Sequence, residues 1–153
     1  MKTGFTTNPQ IAAEKLGGYS KPSMGVEVGV LPSAQDYDDG TDVVMVARFH
    51  EFAPESNYNK WLKKSVDWSV DKYGKKAMLK VLRKSDDDAR KRVREMSEFG
   101  DTIAEGVQNA ILHKQVNLPV NASSTLAQKD GSTAMVDSSH LISVIDSKVY
   151  IDD

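Results

Sequence analysis

The sequence contains no cysteine, and this absence excludes several kinds of chemistry at once. Disulfide bonds, thiolate nucleophiles and cysteine-based zinc sites all need that side chain. The sequence also lacks a large excess of one charge sign, because it has 20 basic and 22 acidic residues and a net charge of −2. A nucleic-acid clamp usually carries a basic excess, so the composition demands no such partner.

Long apolar runs are absent as well. Nothing approaches the ~20 apolar residues of a membrane span, and residues 1–16 do not resemble a signal peptide. We therefore expect no membrane partner and a protein made and used in a cytoplasm. The length of 153 residues suits one domain with an arm. We predict an N-terminal arm with a short helix over residues 1–23 and a single α+β domain over residues 24–153.

Alternating residues predict two strands. Met24–Leu31 places four apolar side chains on one face, and the residues between them are glycine or glutamate. Ser147–Ile151 has the same period, with Val149 and Ile151 on one face. A polar turn over Pro32–Thr41 follows the first strand, and Asp39-Gly40 is its clearest signal.

Apolar residues at steps of three and four predict two long helices. The stripe of the first is Leu62, Val66, Val70, Tyr73, Ala77 and Val81, and that of the second is Val93, Met96, Phe99, Ile103, Val107 and Ile111. The first covers Asn57–Lys84, where Gly74 is expected to kink or weaken it. The second begins at Ser85, an N-cap followed by the acidic first turn Asp86-Asp87-Asp88. A short helix is predicted at Ser138–Val144. The pattern leaves Asp42–Phe52 open, because its valines favour a strand whereas Asp42 and the spacing of its apolar residues favour a helix. The predicted class is α+β: a small antiparallel sheet packed against two long helices plus short helices.

No catalytic or metal-binding constellation is apparent. The spacing of the three histidines, His50, His113 and His140, matches no zinc pattern. Ser138-Ser139-His140 lacks a nucleophile elbow, and the acidic clusters lack the glycine and final glutamate of a calcium loop. We therefore expect a protein that is not an enzyme and that has no cofactor and no metal.

Trp61 and Trp68 are seven residues apart, on one side of the first long helix. Core packing and partner contact are equally good interpretations of this pair, since aromatic side chains dominate interface energetics. The basic stretch from Arg83 to Arg94 is interleaved with acidic residues, which favours a salt-bridged exterior over DNA binding.

Several segments share an order with a known family. Val26–Val30 reads V-x-V-G-V, Tyr37–Thr41 reads Y-x-D-G-T, and His50-Glu51-Phe52 follows a valine-rich stretch. Ser124–Lys129 reads S-T-x-x-x-K, and Met135–Val144 is similar to L-I-D-T-G-x-L-x-x-S-I. Together these segments resemble the neck and tail-completion proteins of long-tailed bacteriophages. The chain departs from that family where Ala53–Tyr58 replaces a P-x-R-P-F loop and where Ser138-Ser139 replaces Thr-Gly.

The resemblance implies that Asp42–Phe52 is a helix. It also implies a structural role: a ring, commonly of six copies, that joins the head connector to the tail tube at the head–tail junction of the virion. The ring would be assembled in the host cytoplasm and would contact other neck and tail proteins. Double-stranded DNA would pass through its lumen without sequence-specific binding.

Ring formation needs complementary patches, and polar loops beside a sheet edge could supply them. The candidate interface residues are Trp61, Trp68, Asp39, Glu55 and Tyr58. The candidate lumen residues are Asp86, Asp87 and Asp88. Two alternatives stay open: a tail terminator that caps the tail tube, and a small non-enzymatic binding protein.

Overall fold

The computed structural model describes residues 23–56, 58–84, 89–118 and 140–152, and these residues have an α+β fold. Its elements in chain order are β1 (Ser23–Val30), α1 (Val43–Phe52), α2 (Trp61–Ser69), a π-helical turn (Val70–Gly74), α3 (Lys75–Lys84), α4 (Ala89–Leu112), α5 (His140–Ser143) and β2 (Ile145–Asp152). The predicted class, a small antiparallel sheet with long and short helices, is confirmed.

The sheet consists of β1 and β2, which pair antiparallel with Val26 opposite Val149. Because side chains alternate along a strand, the apolar residues of β1 lie on one face, where Met24, Val26 and Val28 are buried. The first strand was predicted closely. The second begins earlier than predicted, because Ile145 extends the pairing to Val30.

Helix α4 lies at the centre of the fold, between the sheet and the helices α2 and α3. Two glycines permit close contact on its two sides. A Cβ on Gly100 would lie 2.6 Å from Ser147 Oγ in β2 and 2.8 Å from Val26 Cγ1 in β1. A Cβ on Gly106 would collide with Ser69 Oγ at the end of α2. Glycine weakens a helix interior, but here it lets the layers approach.

The helix predicted over Asn57–Lys84, with a kink or weak point at Gly74, differs from the structure at its start and is interrupted next to that glycine. The helix begins only at Trp61, because Lys60 adopts a left-handed backbone (φ 61°) and donates its N–H to Glu51 O in α1. A π-helical turn then separates α2 from α3 and ends at Gly74, against which the Val70 side chain packs. Such wide turns insert a residue into the helical ladder without ending it.

The two predicted apolar helix stripes form most of the core, as expected. From α4, the stripe residues Met96, Phe99, Ile103, Val107 and Ile111 are buried, and Val93 is partly buried. From α2 and α3, Leu62, Val66 and Val81 are buried, whereas Val70, Tyr73 and Ala77 are partly buried against the core. The periodicity of the sequence therefore identified the inner faces of both long segments.

Other predicted features fall outside the described residues. They are the arm over residues 1–23 up to the start of β1, the cap at Ser85 and the motif Ser124–Lys129. The predicted short C-terminal helix is confirmed as α5. Among the helices that the structure describes, none is both long and apolar enough to cross a bilayer.

Candidate interaction surface

Helix α1 is fixed at its first turn by two carboxylates. Asp42 Oδ1 accepts a hydrogen bond from Met45 N at 2.9 Å, and Asp36 Oδ1 accepts one from Val43 N at 3.2 Å. Both bonds satisfy backbone N–H groups that a helix start leaves without partners, and both place negative charge at the positive end of the helix dipole. The segment that the pattern left open is therefore a capped helix, as the resemblance implied.

Two faces of α1 are apolar, and only one of them is covered. Val43, Ala47 and Glu51 are buried against the rest of the molecule. On the outer face, Met45, Phe49 and Phe52 are exposed by 66%, 52% and 44%. Their spacing of four and three residues aligns them along the helix, and we call these three residues the α1 stripe. Contiguous exposed apolar side chains of this size are typical of an interaction site.

A shallow groove of about 530 Å³ runs along the α1 stripe. Asp42, Val44, Arg48 and Ala53 complete its lining. The groove has an apolar floor with a carboxylate at one end and a guanidinium at its side. This chemistry suits a partner that offers apolar side chains among charged ones, rather than a small polar molecule.

The buried face of α1 is anchored to the start of α2. The Trp61 indole Nε1 donates to Ala47 O at 3.2 Å, and Glu51 Oε2 accepts from Leu62 N at 2.9 Å. Glu51 thus caps α2 from a neighbouring helix, because the N-cap residue Lys60 makes no side-chain cap. Burial raises the pKa of Glu51, and the N–H groups of Leu62 and Lys63 oppose that effect. The α1 stripe therefore stands on a firmly held helix.

The loop after α1 is held by His50. Its Nδ1 lies 2.8 Å from Ser56 Oγ, and Ser56 Oγ also accepts a hydrogen bond from Tyr58 N at 3.2 Å. The His50 and Tyr58 rings meet edge to face with centroids 5.4 Å apart. Burial lowers the pKa of His50, so the neutral imidazole is favoured. We infer that these contacts hold the loop after α1 in place.

The two tryptophans among the candidate interface residues differ in their burial. Trp61 is fully buried, with 0% exposure, so it is a core residue and the partner interpretation is wrong at this position. Trp68 is half-buried and contacts the Tyr73 ring edge to face, with Lys72 Nζ 5.3 Å from its ring centroid. The Trp61 ring packs in the core, and its polar N–H is satisfied there by the Ala47 carbonyl.

The other candidates lie at both ends of α1. Asp39 is exposed in the loop before it, and hydrogen bonds from Thr41 lower the pKa of its carboxyl. Glu55 is exposed in the loop after it, and Tyr58 is half-buried there. Asp39, Glu55 and Tyr58 thus lie in the loops that precede and follow α1. The lumen candidates Asp86, Asp87 and Asp88 lie outside the described residues.

The three histidines do not come together in one site, because each has a different environment. His50 bonds Ser56, whereas His140 Nε2 lies 2.7 Å from Gln35 O and its ring contacts Tyr37. His113 is exposed beyond the end of α4. Within residues 23–56, 58–84, 89–118 and 140–152, no group of three metal-ligating side chains is found.

A basic surface on the π-helical turn and α3 is the second exposed feature. Lys72, Lys75, Lys76 and Arg83 are exposed at helical spacing, and Leu79, 42% exposed, lies among them. We call these five residues the basic ridge. The opposite side of α3 packs inward through Ala77 and Val81. Neighbouring Lys80 forms an ion pair with Glu98 of α4 and so helps to hold the ridge in place.

Sequence reasoning missed both surfaces, although signals for them exist. Met45, Phe49 and Phe52 have helical spacing and lie on a different face from Val43 and Ala47. If Asp42–Phe52 is a helix, its apolar residues lie on two different faces. A small fold then has to leave one of the two faces uncovered or bury the whole helix. The basic ridge was visible as a high local density of lysine, which the near-neutral net charge concealed.

Comparison with protein-family models, with curated proteins and with solved structures finds no match to this chain. The resemblance to phage neck proteins therefore stays a prediction from sequence motifs.

Proposed function

We propose that this chain is a structural subunit of the bacteriophage neck, forming a ring that joins the head connector to the tail tube and lets DNA pass. The observation that carries the proposal is the α1 stripe, a row of three large apolar side chains exposed on a helix that is capped and anchored. Fixed apolar anchors of this kind supply most of the free energy of protein association. They have no evident purpose in a solitary catalyst or carrier.

The rest of the surface fits assembly as well. Asp39, Glu55 and Tyr58, which we propose as interface residues, flank α1 at its two ends and would form a polar rim around its apolar centre. Within the described residues, β1 and β2 form a two-stranded sheet with no third strand on either edge. An exposed edge offers backbone groups for pairing with another chain.

The proposed setting is the head–tail junction of the virion, with assembly in the host cytoplasm. The partners are further copies of the chain, commonly six in such rings, and adjoining neck and tail proteins. DNA passes through the lumen without base-specific contacts, and Asp86, Asp87 and Asp88 remain candidates for its lining because negative charge repels phosphate. The proposal includes no catalytic step, no cofactor and no metal.

Immunogold labelling of purified phage particles tests the proposal. Particles from a host that produces the chain with an epitope tag should carry gold at the head–tail junction, and particles with the untagged chain should carry none. Label on the capsid, on tail fibres or on no part of the particle would contradict the proposal. Co-purification with tube protein but not with connector protein would instead indicate a tail terminator.

A further inference from the structure

Charge is strongly segregated along this near-neutral chain. Residues 23–56 contain seven acidic side chains and one basic one, whereas residues 58–84 contain nine basic side chains and two acidic ones. The acidic segment includes α1 and the loops at both its ends. The basic segment includes the basic ridge. The same molecule therefore carries two surfaces of opposite charge.

The two surfaces lie at different ends of one helical rod. Helix α1 is held at the first residues of α2 through Trp61 and Leu62. The basic ridge begins at Lys72 and extends to Arg83. At 1.5 Å per helical residue, the ridge lies roughly 15–30 Å further along the rod. One molecule therefore cannot bring its own ridge onto its own α1 stripe without breaking that rod.

The two surfaces also match in apolar content. The α1 stripe is an apolar row with Asp38, Asp39 and Asp42 before it and Glu55 after it, and Arg48 is the basic side chain that lines its groove. The basic ridge has Leu79 among its charges. Contact between them would bury Leu79 against aromatic rings and would set basic side chains beside acidic ones. An apolar centre within a charged rim is the usual anatomy of a specific interface.

We propose that the basic ridge of one copy docks on the α1 stripe of the next copy. This contact deepens the proposed function, on which it rests for its biological setting, by naming the two faces that meet between ring subunits. The contact is heterologous, since each copy uses a different face toward each neighbour, and successive contacts close into a ring when the rotation between copies permits. Phe49 and Leu79 form its centre, and the charges select the partner and the orientation.

A second copy is favoured over nucleic acid as the occupant of the ridge. The complementary acidic surface is present on the same chain, and an exposed leucine among the lysines has no counterpart in a phosphate backbone. Nucleic acid remains an outcome that the experiment distinguishes.

Cysteine trapping tests the contact directly, because the natural chain has no cysteine. The variants Arg48→Cys and Lys75→Cys place a thiol beside the α1 stripe and on the basic ridge and keep Phe49 and Leu79. They are mixed and oxidised under mild conditions. The matched control mixes Arg48→Cys with Leu112→Cys, since Leu112 is exposed at the end of α4. We expect a disulfide-linked heterodimer to form at least tenfold faster in the Arg48–Lys75 mixture. Equal rates in the two mixtures would overturn the proposed contact.

A complementation experiment tests the head-to-tail geometry. The ridge variant Lys76→Glu/Arg83→Glu and the stripe variant Phe49→Ser should each be monomeric in sedimentation velocity where the wild type assembles. Mixed one to one, they should form dimers and stop there, because the pair has one intact ridge and one intact stripe to offer each other. The control Lys64→Glu, an exposed lysine of α2, should assemble like the wild type.

Several outcomes would contradict the contact. They are a wild type that stays monomeric at low salt, a ridge variant that assembles normally, and a mixture that yields no dimers. Duplex DNA that binds the wild type but not the ridge variant, together with failed trapping, would assign the ridge to phosphate. If trapping fails while gold label lies at the head–tail junction, only the contact is wrong. If trapping succeeds while label lies elsewhere, only the proposed function is wrong.

Discussion

At the scale of single residues, Glu51 links the two elements that carry the candidate surface. It is a buried residue of α1 whose carboxylate accepts the N–H of Leu62 at 2.9 Å and of Lys63 at 3.4 Å. Its pKa is raised because burial disfavours the charged form more than the two N–H groups favour it. The Glu51 carboxyl oxygen accepts the hydrogen bonds that cap α2, whereas its negative charge is disfavoured by burial.

Substitutions at Glu51 should therefore separate the oxygen from the charge. Glu51→Gln keeps an acceptor for Leu62 N–H, and we expect an unfolding free energy at pH 7 equal to or above that of the wild type. Glu51→Ala leaves the buried N–H without an acceptor and should lower the unfolding free energy by about 1–3 kcal/mol. Urea denaturation followed by circular dichroism measures both. Equal losses in the two variants would show that the hydrogen bond contributes little.

His50 should make stability depend on pH in the opposite direction to Glu51. Because its pKa is lowered in the fold, His50 favours folding above its ordinary pKa of about 6.5, and this contribution disappears as the pH falls through the lowered value. We expect the unfolding free energy to decrease from pH 7 to pH 5, with a slope from this group of at most about 1.4 kcal/mol per pH unit. His50→Gln should flatten that profile.

His113→Gln is the matched control, since His113 is exposed beyond α4. A profile that flattens equally in both variants would exclude burial of His50 as the cause. The profile of Glu51→Gln shows how much of the wild-type curve comes from the neighbouring carboxyl, whose raised pKa contributes stability that is lost as the pH rises above its ordinary value.

At the scale of the elements, the close contact between α4 and the end of α2 depends on Gly106. Ser69 is fully buried there, and its Oγ donates to Ile103 O at 2.8 Å across the helix interface. The interface therefore combines a small residue on one helix with a buried hydroxyl on the other. Added volume at either position must separate the helices or displace the hydroxyl.

Gly106→Ala should destabilise the fold although alanine is the better helix former. The new Cβ would collide with Ser69 Oγ and lie 2.9 Å from Tyr73 Cδ2. Overpacking of this kind costs about 1–3 kcal/mol, against a gain in helix propensity of about 1 kcal/mol. In a Ser69→Ala background the same change should cost less, because the obstructing oxygen is gone. Thermal unfolding of the four proteins in a double-mutant cycle tests this, and additive effects would contradict it.

At the scale of the whole molecule, stability and assembly should be separable. The Phe49 ring is 52% exposed and contacts the His50 ring edge to face, so Phe49→Ser should lower the unfolding free energy of the monomer by no more than about 1.5 kcal/mol. The same substitution should weaken self-association roughly tenfold or more, as loss of an aromatic anchor does. Light scattering over a concentration series measures association, with Leu112→Ser as the equally exposed control. Equal effects of both substitutions would remove the special role of the stripe.

Much of the architecture was predictable from local patterns. The apolar period of Phe99–Ile111 and the alternation of Met24–Val30 identified the inner faces of α4 and β1, because burial on one side imposes that period on the sequence. The resemblance decided Asp42–Phe52, where propensity alone could not. The interface candidates Asp39, Glu55 and Tyr58 were predicted from their loops, and whether they contact a partner stays a prediction.

The sequence by itself determined the class of the fold and the inward faces of its long elements, since those depend on the spacing of residues along one segment. Only the tertiary structure decided what covers a given face. Trp61 is packed in the core, where Ala47 of another helix accepts its N–H, and α2 is capped by Glu51 of α1. Met45, Phe49 and Phe52 are as hydrophobic as the core, and they lie exposed because no described element covers that side of α1. Exposure depends on neighbours distant in the chain, which no local pattern records.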